Sequence, residues 1–170
     1  MDKRVLRKIT YGLYIVSSEW EGRLNGQVVN TVFQVTSSPP EIALSLNREN
    51  LTCEIVEKKG SFTVVVLEKD TPLTYIGRFG FRSGRDFDKF KGIEYRTLPS
   101  GNPVPLPHAL AYFEAEVEKS LDLGSHILFV ARVRDGTLLK EGDPLTYAYY
   151  HQVKGGLTAE KAPHLRGELR

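Results

Sequence analysis

Alternation between apolar and polar positions dominates the first half of the chain and predicts β-strands. Four segments carry strand signals: residues 10–18, 27–37, 41–47 and the almost continuously apolar 61–67. A charged turn with Gly22 and the Asn25-Gly26 pair predicts a hairpin between the first two segments. Pro39 and Pro40 end the second strand, since proline cannot donate to a β-ladder.

The second half of the chain adds two longer strand candidates and a late aromatic segment. Residues 111–121 and 125–133 are predicted to be strands joined by a tight turn. In the segment 145–151 alternation places Tyr147, Tyr149 and His151 on one face and Tyr150 on the other. Such dense aromatic residues can wall a flat ring or pack a subunit interface.

Two short helices are expected between the strands. Asn50 is a candidate N-cap for residues 51–59, which Gly60 follows, and Pro72 opens a second helix to about Phe79. About six strands with two short helices predict a closed or half-closed antiparallel barrel. No GxGxxG motif follows a strand and opens a helix, and GxxxxGK[ST] does not occur, which excludes Rossmann and P-loop nucleotide binding.

Length and charge restrict the class of protein further. The 170 residues fit one domain, and 23 basic against 21 acidic residues give a net charge of +2, too even to predict a nucleic-acid partner. No long apolar run predicts a membrane span, and no signal peptide is apparent, so a cytoplasmic location is expected. The single Cys53 allows no internal disulfide and favours a reducing compartment; the four dispersed histidines predict no metal site.

The first candidate site lies where polar side chains gather near strand ends and a helix start. Asn30 and Thr31 lie on one strand, Ser45 and Asn47 end the next, and the helix begins near Thr52. Hydroxyls, an amide and free helix N–H groups at one end could cradle a phosphate without glycines. The alternative is that these residues form a solvated face and Asn50 simply caps its helix.

The second candidate is a cationic loop, and the third is a histidine. Arg82, Ser83, Arg85 and Lys89 could surround a dianion, or the loop could be solvated and balanced by neighbouring aspartates. His126 stands where a turn becomes a strand, and so at a barrel rim. It faces either a ligand or water there, and a lone histidine is often structural.

Four segments together resemble the flavin reductase-like family of FMN-binding split barrels, over about residues 4–156. They are NGQVVNTVFQVTSSPPEIALSLNRENLT, FGFRSGRDFDKF, DLGSHILFVARV and DPLTYAYYHQVKGG. The branch that they resemble includes flavoredoxins and the flavin reductase domains fused to rubredoxin. The resemblance implies a mainly β fold, a six-stranded antiparallel Greek-key split barrel with short flanking helices. It implies a domain over residues 1–156, a C-terminal tail over 157–170, and a homodimer with FMN at the interface.

The same resemblance implies which residues form the site. Asn30, Thr31, Val32 and Phe33 would face the isoalloxazine edge. Ser45, Leu46, Asn47 and Thr52 would flank the ribityl chain and phosphate, which Arg82, Ser83 and Lys89 would complete. His126 would be the catalytic residue, near the flavin ring and the nicotinamide, and Tyr149 would help to close the pocket.

Two departures from the family pattern fall near the expected nicotinamide side. Many members have Gly-Asp-His where this chain has Gly124-Ser125-His126, and PLxYxxGxY is replaced after Tyr147 by Ala-Tyr-Tyr-His. The leading hypothesis is an FMN-binding oxidoreductase that moves a hydride from NADH or NADPH to flavin and passes electrons to an acceptor. The alternatives are a flavoredoxin-like FMN electron carrier, reduced by a protein partner, and a non-catalytic interaction barrel. Rubredoxin is a possible electron-transfer partner.

Overall fold

Seven strands, all paired antiparallel, form the main sheet of the computed structural model, which describes residues 2–157. The strands of the chain are β1 (Tyr14–Trp20), β2 (Arg23–Val29), β3 (Val32–Ser37), β4 (Pro40–Asn47), β5 (Ser61–Leu67), β6 (Tyr95–Thr97), β7 (Pro103–Pro105), β8 (Ala109–Asp122) and β9 (His126–Leu138). The main sheet has the order β2-β1-β5-β8-β9-β4-β3, and β6 pairs only with β7. The helices are α1 (Leu51–Lys59), α2 (Leu73–Gly80), α3 (Tyr147–Gln152) and a 3-10 helix (Lys3–Lys8).

The main sheet curls around a single apolar core. Val29 of β2 and Val32 of β3 belong to the same buried cluster, although these strands stand at opposite ends of the sheet order. Every strand of the sheet contributes to this cluster, and Cys53 and Val56 of α1 complete it. A sheet whose two end strands share one core is rolled, as a barrel requires.

A second apolar cluster covers the outer side of β1, β5 and β8. Ile15 and Val65 turn away from the first core and pack with Phe79 of α2 and with Phe90 and Leu145 from the connecting segments. The period-two alternation of a strand allows both clusters, because successive side chains point to opposite faces. This arrangement holds α2 and the following loop against the outside of the sheet.

The predicted antiparallel, mainly β class with short helices is confirmed, but the count of six strands is wrong. The segment 27–37 is not one strand: it divides into β2 and β3 around Asn30 and Thr31. The hairpin turn lies at Glu21-Gly22, whose φ values are 51° and 78°, and Asn25-Gly26 lies within β2. The backbone N–H of Gly22 donates to the Glu19 carboxylate at 2.6 Å, which stabilises the turn there.

The late aromatic segment is helical, so its predicted extended alternation is wrong. Thr146 caps α3, because its Oγ1 accepts a hydrogen bond from the Tyr149 N–H at 3.1 Å. The predicted helix α1 is confirmed, with Gly60 in the left-handed conformation at its C-terminus (φ 73°). Of the predicted tail, residues 158–170 lie outside the described residues.

Among residues 2–157, none of the helices has the length and apolar character that crossing a membrane requires.

Candidate functional site

A cavity of about 510 Å³ opens between the end of β2, the start of α1, α2 and the loop that follows α2. Its volume falls within the range typical of small-molecule sites. Its polar wall contains Asn25, Gln27, Asn30, Thr31, Ser45, Asn47, Glu49, Asn50, Thr52, Arg82, Ser83, Arg85 and Lys89, and its apolar wall includes Leu13, Ile76, Phe79, Phe81, Tyr147 and Tyr150. The cavity therefore offers both apolar and polar side chains to one occupant.

The break between β2 and β3 turns buried amide groups toward the cavity. Asn30 is 5% exposed, and its Oδ1 accepts a hydrogen bond from the Thr31 hydroxyl at 3.0 Å. Among the described residues, neither Asn30 Nδ2 nor Gln27 Oε1 has a hydrogen-bond partner. A buried polar atom without a partner costs free energy. The Asn30 Nδ2 donor and the Gln27 Oε1 acceptor therefore fit a ligand ring that carries a complementary acceptor and donor.

The first turn of α1 forms one end of the polar wall. Asn50 occupies the N-cap position in an extended conformation, but its side chain makes no capping hydrogen bond. Thr52 is almost completely buried, and its Oγ1 accepts a hydrogen bond from Asn25 Nδ2 at 2.8 Å. The first N–H groups of a helix lack intrahelical acceptors and carry partial positive charge, so this end of the cavity favours an anion.

The loop after α2 adds cations to the same end. Arg85 is neutralised, because its guanidinium lies 3.0 Å from the Glu54 carboxylate. Arg82 packs over the Phe87 ring, with its guanidinium carbon 4.4 Å from the ring centroid. In the part of the chain that the structure describes, Arg82 has no carboxylate partner. It therefore adds to the cavity lining a positive charge that no carboxylate contacts, and the Glu49 carboxylate also belongs to this lining.

Gly84 brings this loop against β2 and α1. A Cβ atom at this position would lie 2.0 Å from Asn25 Oδ1, so only glycine permits the approach. The Gly84 carbonyl also accepts a hydrogen bond from the Arg23 guanidinium at 3.1 Å. Asn25 in turn bonds Thr52, so one buried amide joins the strand, the helix start and the cationic loop.

Lys89 lies at the base of the cavity. It is 5% exposed, and its ammonium donates hydrogen bonds to the Gly26 carbonyl at 2.8 Å and the Phe79 carbonyl at 3.0 Å. Burial lowers the pKa of Lys89 to about 8. Lys89 therefore ties β2 to α2 and adds a positive charge to the lining of the cavity.

The structure brings eight of the predicted site residues to this cavity. They are Asn30, Thr31, Ser45, Asn47, Thr52, Arg82, Ser83 and Lys89. The other five predicted residues lie outside its lining. They are Val32, Phe33, Leu46, His126 and Tyr149.

The position of each of these five has a physical cause. Val32 and Leu46 point into the first apolar core, and Phe33 is 56% exposed on the opposite side of β3. His126 pairs with Asn47 across β4 and β9, beside the lining, and its Nδ1 lies 2.9 Å from the Ser125 hydroxyl. Tyr149 turns away because the segment is helical, and the Lys69 ammonium lies 5.1 Å from its ring centroid.

Sequence reasoning missed Asn25 and Gln27 as lining residues. Asn-Gly is a strong hairpin signal, so the sequence favours a turn at Asn25. The signal that could have revealed these lining residues is the presence of polar residues in the middle of strand β2. A buried amide side chain within a strand is unusual unless it has a hydrogen-bond partner. Here that partner is Thr52 for Asn25.

Comparisons with known proteins agree on the family. Residues 6–156 match the family model described as a flavin reductase like domain. The chain is 49% identical to the high molecular weight rubredoxin of Moorella thermoacetica, over 96% of this chain and 71% of that protein. It is 51% identical to the ferric-chelate reductase (NAD(P)H) of Archaeoglobus fulgidus, over 95% of this chain and 96% of that protein.

Solved structures share the fold. The flavin reductase HpaC, solved in complex with NADP+, has a TM-score of 0.74 and 26% identity over 85% of this chain and 90% of that one. The styrene monooxygenase flavin reductase of Pseudomonas putida S12 has a TM-score of 0.72 and 26% identity, over 86% of this chain and 91% of that one. With its family model matched over nearly the whole described chain, this protein belongs to the flavin reductase-like domain family.

Proposed function

We propose that the protein is an FMN-binding oxidoreductase that transfers a hydride from NAD(P)H to flavin and passes the electrons to an acceptor. The observation that carries the proposal is the pairing, in one cavity, of a cationic end with buried amides that lack partners. The names of two relatives, a ferric-chelate reductase (NAD(P)H) and a flavin reductase in complex with NADP+, support the same chemistry.

The residues at the cationic end fit a phosphate monoester. Arg82, the Ser83 hydroxyl and the first N–H groups of α1 would hold the phosphate of FMN, with the Lys89 charge in the same cavity lining. Hydrogen bonds from ionised donors to phosphate are stronger than neutral ones. Arg85 already forms an ion pair with Glu54, so in this proposal Arg82 is the arginine that contacts the phosphate.

The residues at the other end fit the isoalloxazine ring. Asn30 Nδ2 would donate to a ring carbonyl, and Gln27 Oε1 would accept from a ring or ribityl donor, which satisfies both buried atoms. Phe79, Phe81 and Tyr147 line the apolar side and would exclude water from the ring. Bound FMN supplies the hydride-accepting ring, so the chain itself needs no nucleophile and no acid–base pair.

A second candidate is a bound-FMN electron carrier reduced by a protein partner. Two observations favour it over direct use of nicotinamide. His126, which the family resemblance placed near nicotinamide, lies outside the cavity lining. The 49% identity to a protein named high molecular weight rubredoxin makes rubredoxin the partner to test.

Anaerobic addition of NADH or NADPH to the FMN-loaded protein separates the two candidates. The reductase predicts that the visible flavin absorbance bleaches within turnover time and that free FMN stimulates steady-state NAD(P)H oxidation. The carrier predicts no bleaching by either nucleotide, but bleaching by reduced rubredoxin. Absence of any flavin bound to the protein would contradict both.

The homodimer belongs to the same proposal. Strand β3 is an end strand of the sheet, paired only with β4, and it exposes Phe33 and Val35 at 56% and 49%. Exposed apolar residues on an edge strand are a typical site of association. A second copy that covers β3 would bury Phe33, which lies outside the cavity lining of its own chain.

A further inference from the structure

The chain turns back on itself after α3. The Gly156 N–H donates to the Tyr150 carbonyl at 2.9 Å, and the preceding Gly155 takes the left-handed conformation, with a φ of 66°. Glycine adopts this conformation without a steric penalty, which lets the chain reverse at the end of a helix. Residues 153–157 therefore fold back onto the end of α3, and we call them the strap.

The strap ends at an opening of the cavity. Leu157, the last of the described residues, lines the cavity together with Tyr147 and Tyr150. It is also 73% exposed to solvent. A side chain that lines a cavity and is still largely exposed stands where that cavity meets solvent. The strap therefore borders a path between the cavity and the surrounding water.

Tyr150 fixes the end of the strap. It is 4% exposed, and its Oη donates a hydrogen bond to the Leu157 carbonyl at 2.8 Å. Burial raises the pKa of Tyr150, so the hydroxyl stays a donor at neutral pH. Gly156 lies directly on the same ring, since a Cβ atom there would stand 2.2 Å from the Tyr150 Cζ. The Tyr150 ring is therefore both a wall of the cavity and the support of the strap.

His151 joins the strap to the aromatic wall. Its Nδ1 lies 2.8 Å from the Gly156 carbonyl, and because a carbonyl only accepts, Nδ1 carries the proton of this hydrogen bond. The His151 ring packs edge-on against the rings of Tyr147 and Tyr150, with centroids 4.3 Å and 4.9 Å apart. His151 itself lies outside the cavity lining, so it acts on the cavity through these two tyrosines and the strap.

Tyr149 provides a third attachment for the strap. The Lys154 ammonium lies 5.8 Å from the centroid of the Tyr149 ring, and the Lys69 ammonium lies 5.1 Å from the same centroid. Cation–π contacts at exposed sites are weak. Val153 and Leu157 are 64% and 73% exposed, so little apolar area holds the strap in place. The strap can therefore detach as a local event, without unfolding the sheet.

We propose that the strap closes the cavity over bound FMN, and that Tyr150 and His151 are the positioning residues that hold it closed. The inference rests on the proposed function, because it takes FMN as the occupant of the cavity. A closed strap must detach before FMN leaves, so the hydrogen bonds from Tyr150 and His151 slow the dissociation of FMN. The strap thereby keeps the flavin on the protein from one turnover to the next.

The test separates the dissociation of FMN from its association. Rapid dilution of the FMN-loaded protein gives the dissociation rate, and stopped-flow mixing gives the association rate, both from flavin fluorescence. Tyr150→Phe removes only the hydroxyl, and His151→Leu removes the donor to the Gly156 carbonyl. His151→Asn is the conservative variant, because its amide nitrogen takes the place of Nδ1. Tyr95→Phe is the matched control, since Tyr95 is 40% exposed and lies outside the cavity lining.

Tyr150→Phe and His151→Leu are expected to release FMN about fivefold faster than the wild type, as the loss of one hydrogen bond implies. Their association rates should be no lower than that of the wild type, because a loosened strap does not obstruct entry. His151→Asn should restore slow release, and Tyr95→Phe should leave both rates unchanged.

The proposal is overturned if Tyr150→Phe and His151→Leu release FMN at the wild-type rate, or if both lose affinity only through slower association. Equally fast release by His151→Asn and His151→Leu would also overturn it, because the donor at that position would then not matter. Should His151→Leu not fold, Tyr150→Phe decides against its Tyr95→Phe control. Failure of the wild type to bind FMN would contradict the proposed function and the strap together, whereas FMN that binds and leaves every variant at one rate contradicts the strap alone.

Discussion

Lys89 shows how one buried residue combines a structural and an electrostatic role. Two backbone carbonyls hold its ammonium between β2 and α2, and burial lowers its pKa from 10.5 to about 8. A buried ammonium is stable when it is hydrogen-bonded or meets an anion. We expect the phosphate of FMN to be that anion.

The lowered pKa of Lys89 predicts a pH dependence of stability. Between pH 8 and 10.5 the unfolded chain binds more protons than the folded chain, so the free energy of unfolding rises with pH. From pH 7 to 10 the gain is roughly 2–3 kcal/mol. Urea unfolding of the wild type and of Lys89→Met, both without FMN, gives the free energy of unfolding of each at pH 7 and pH 10. The gain is the change, between these pH values, in the difference between the two proteins. A difference that does not vary with pH would show that Lys89 has an ordinary pKa.

Arg82 is predicted to be the main side-chain ligand of the FMN phosphate. Arg82→Ala should weaken FMN binding by about 2 kcal/mol, roughly thirtyfold, because a charge-assisted hydrogen bond is lost. Flavin fluorescence titration measures the change. Arg134→Ala is the control, since Arg134 pairs with Glu116 on the exposed surface of the sheet. Equal FMN affinity in the two variants would remove Arg82 from the site.

Residue types and their order along the chain predicted which polar and cationic residues lie together at the cavity, but not which aromatic residues line it. Arg82, Ser83 and Thr52 converge because a loop and a helix start are both positioned by Asn25, a contact that no local pattern encodes. A period-two pattern favours Tyr149 over Tyr150 as a wall of the site. Because Thr146 caps a helix here, Tyr150 lines the cavity and Tyr149 does not.

At the next scale, the site depends on how three elements meet. The loop after α2 approaches β2 and the start of α1 so closely that only glycine fits at position 84. The Asn25–Thr52 hydrogen bond lies directly beneath that contact. The anion-favouring end of the cavity is therefore a product of packing between elements, and its geometry should respond to small changes there.

Gly84→Ala tests that dependence. The added methyl would overlap Asn25 Oδ1, so the loop must move or the Asn25–Thr52 bond must break. We expect a loss of about 1–3 kcal/mol in the free energy of unfolding, together with weaker FMN binding. Thermal unfolding and FMN titration are the measurements.

Gly77→Ala is the control for Gly84→Ala. A Cβ at Gly77 would make only ordinary contact with Phe81, at 3.8 Å, and alanine favours a helix. The control should unfold at the same temperature as the wild type or a higher one. If Gly84→Ala behaved in the same way, the close approach of the loop would not be essential.

Local patterns predicted the regular elements with their own strong signals and failed where tertiary contacts decide. Helix α1 and strand β5 carry clear end signals, and both were predicted correctly. The division of 27–37 into two strands was not visible, because the alternation continues through Asn30 and Thr31. What separates β2 from β3 is their placement at opposite ends of a rolled sheet.

At the scale of the whole molecule, the rolled sheet leaves β3 as an end strand with exposed apolar side chains. The proposed homodimer covers this strand. Phe33→Asp should therefore shift the protein from dimer to monomer and reduce FMN retention. Sedimentation velocity gives the mass of each variant.

Leu138→Asp is the matched control for the dimer, because Leu138 is 64% exposed at the far end of β9. It should leave the mass of the assembly unchanged. A wild-type protein that sediments as a monomer at all concentrations would contradict the dimer. Dissociation of both variants to the same extent would show that β3 is not the contact.

A crystal structure of the protein grown with FMN tests the central claim most directly. We predict that the FMN phosphate lies beside Arg82, Ser83 and the first turn of α1, with the ring within hydrogen-bond distance of Asn30 Nδ2. Flavin bound elsewhere, or this cavity without flavin in a crystal saturated with FMN, would contradict that claim.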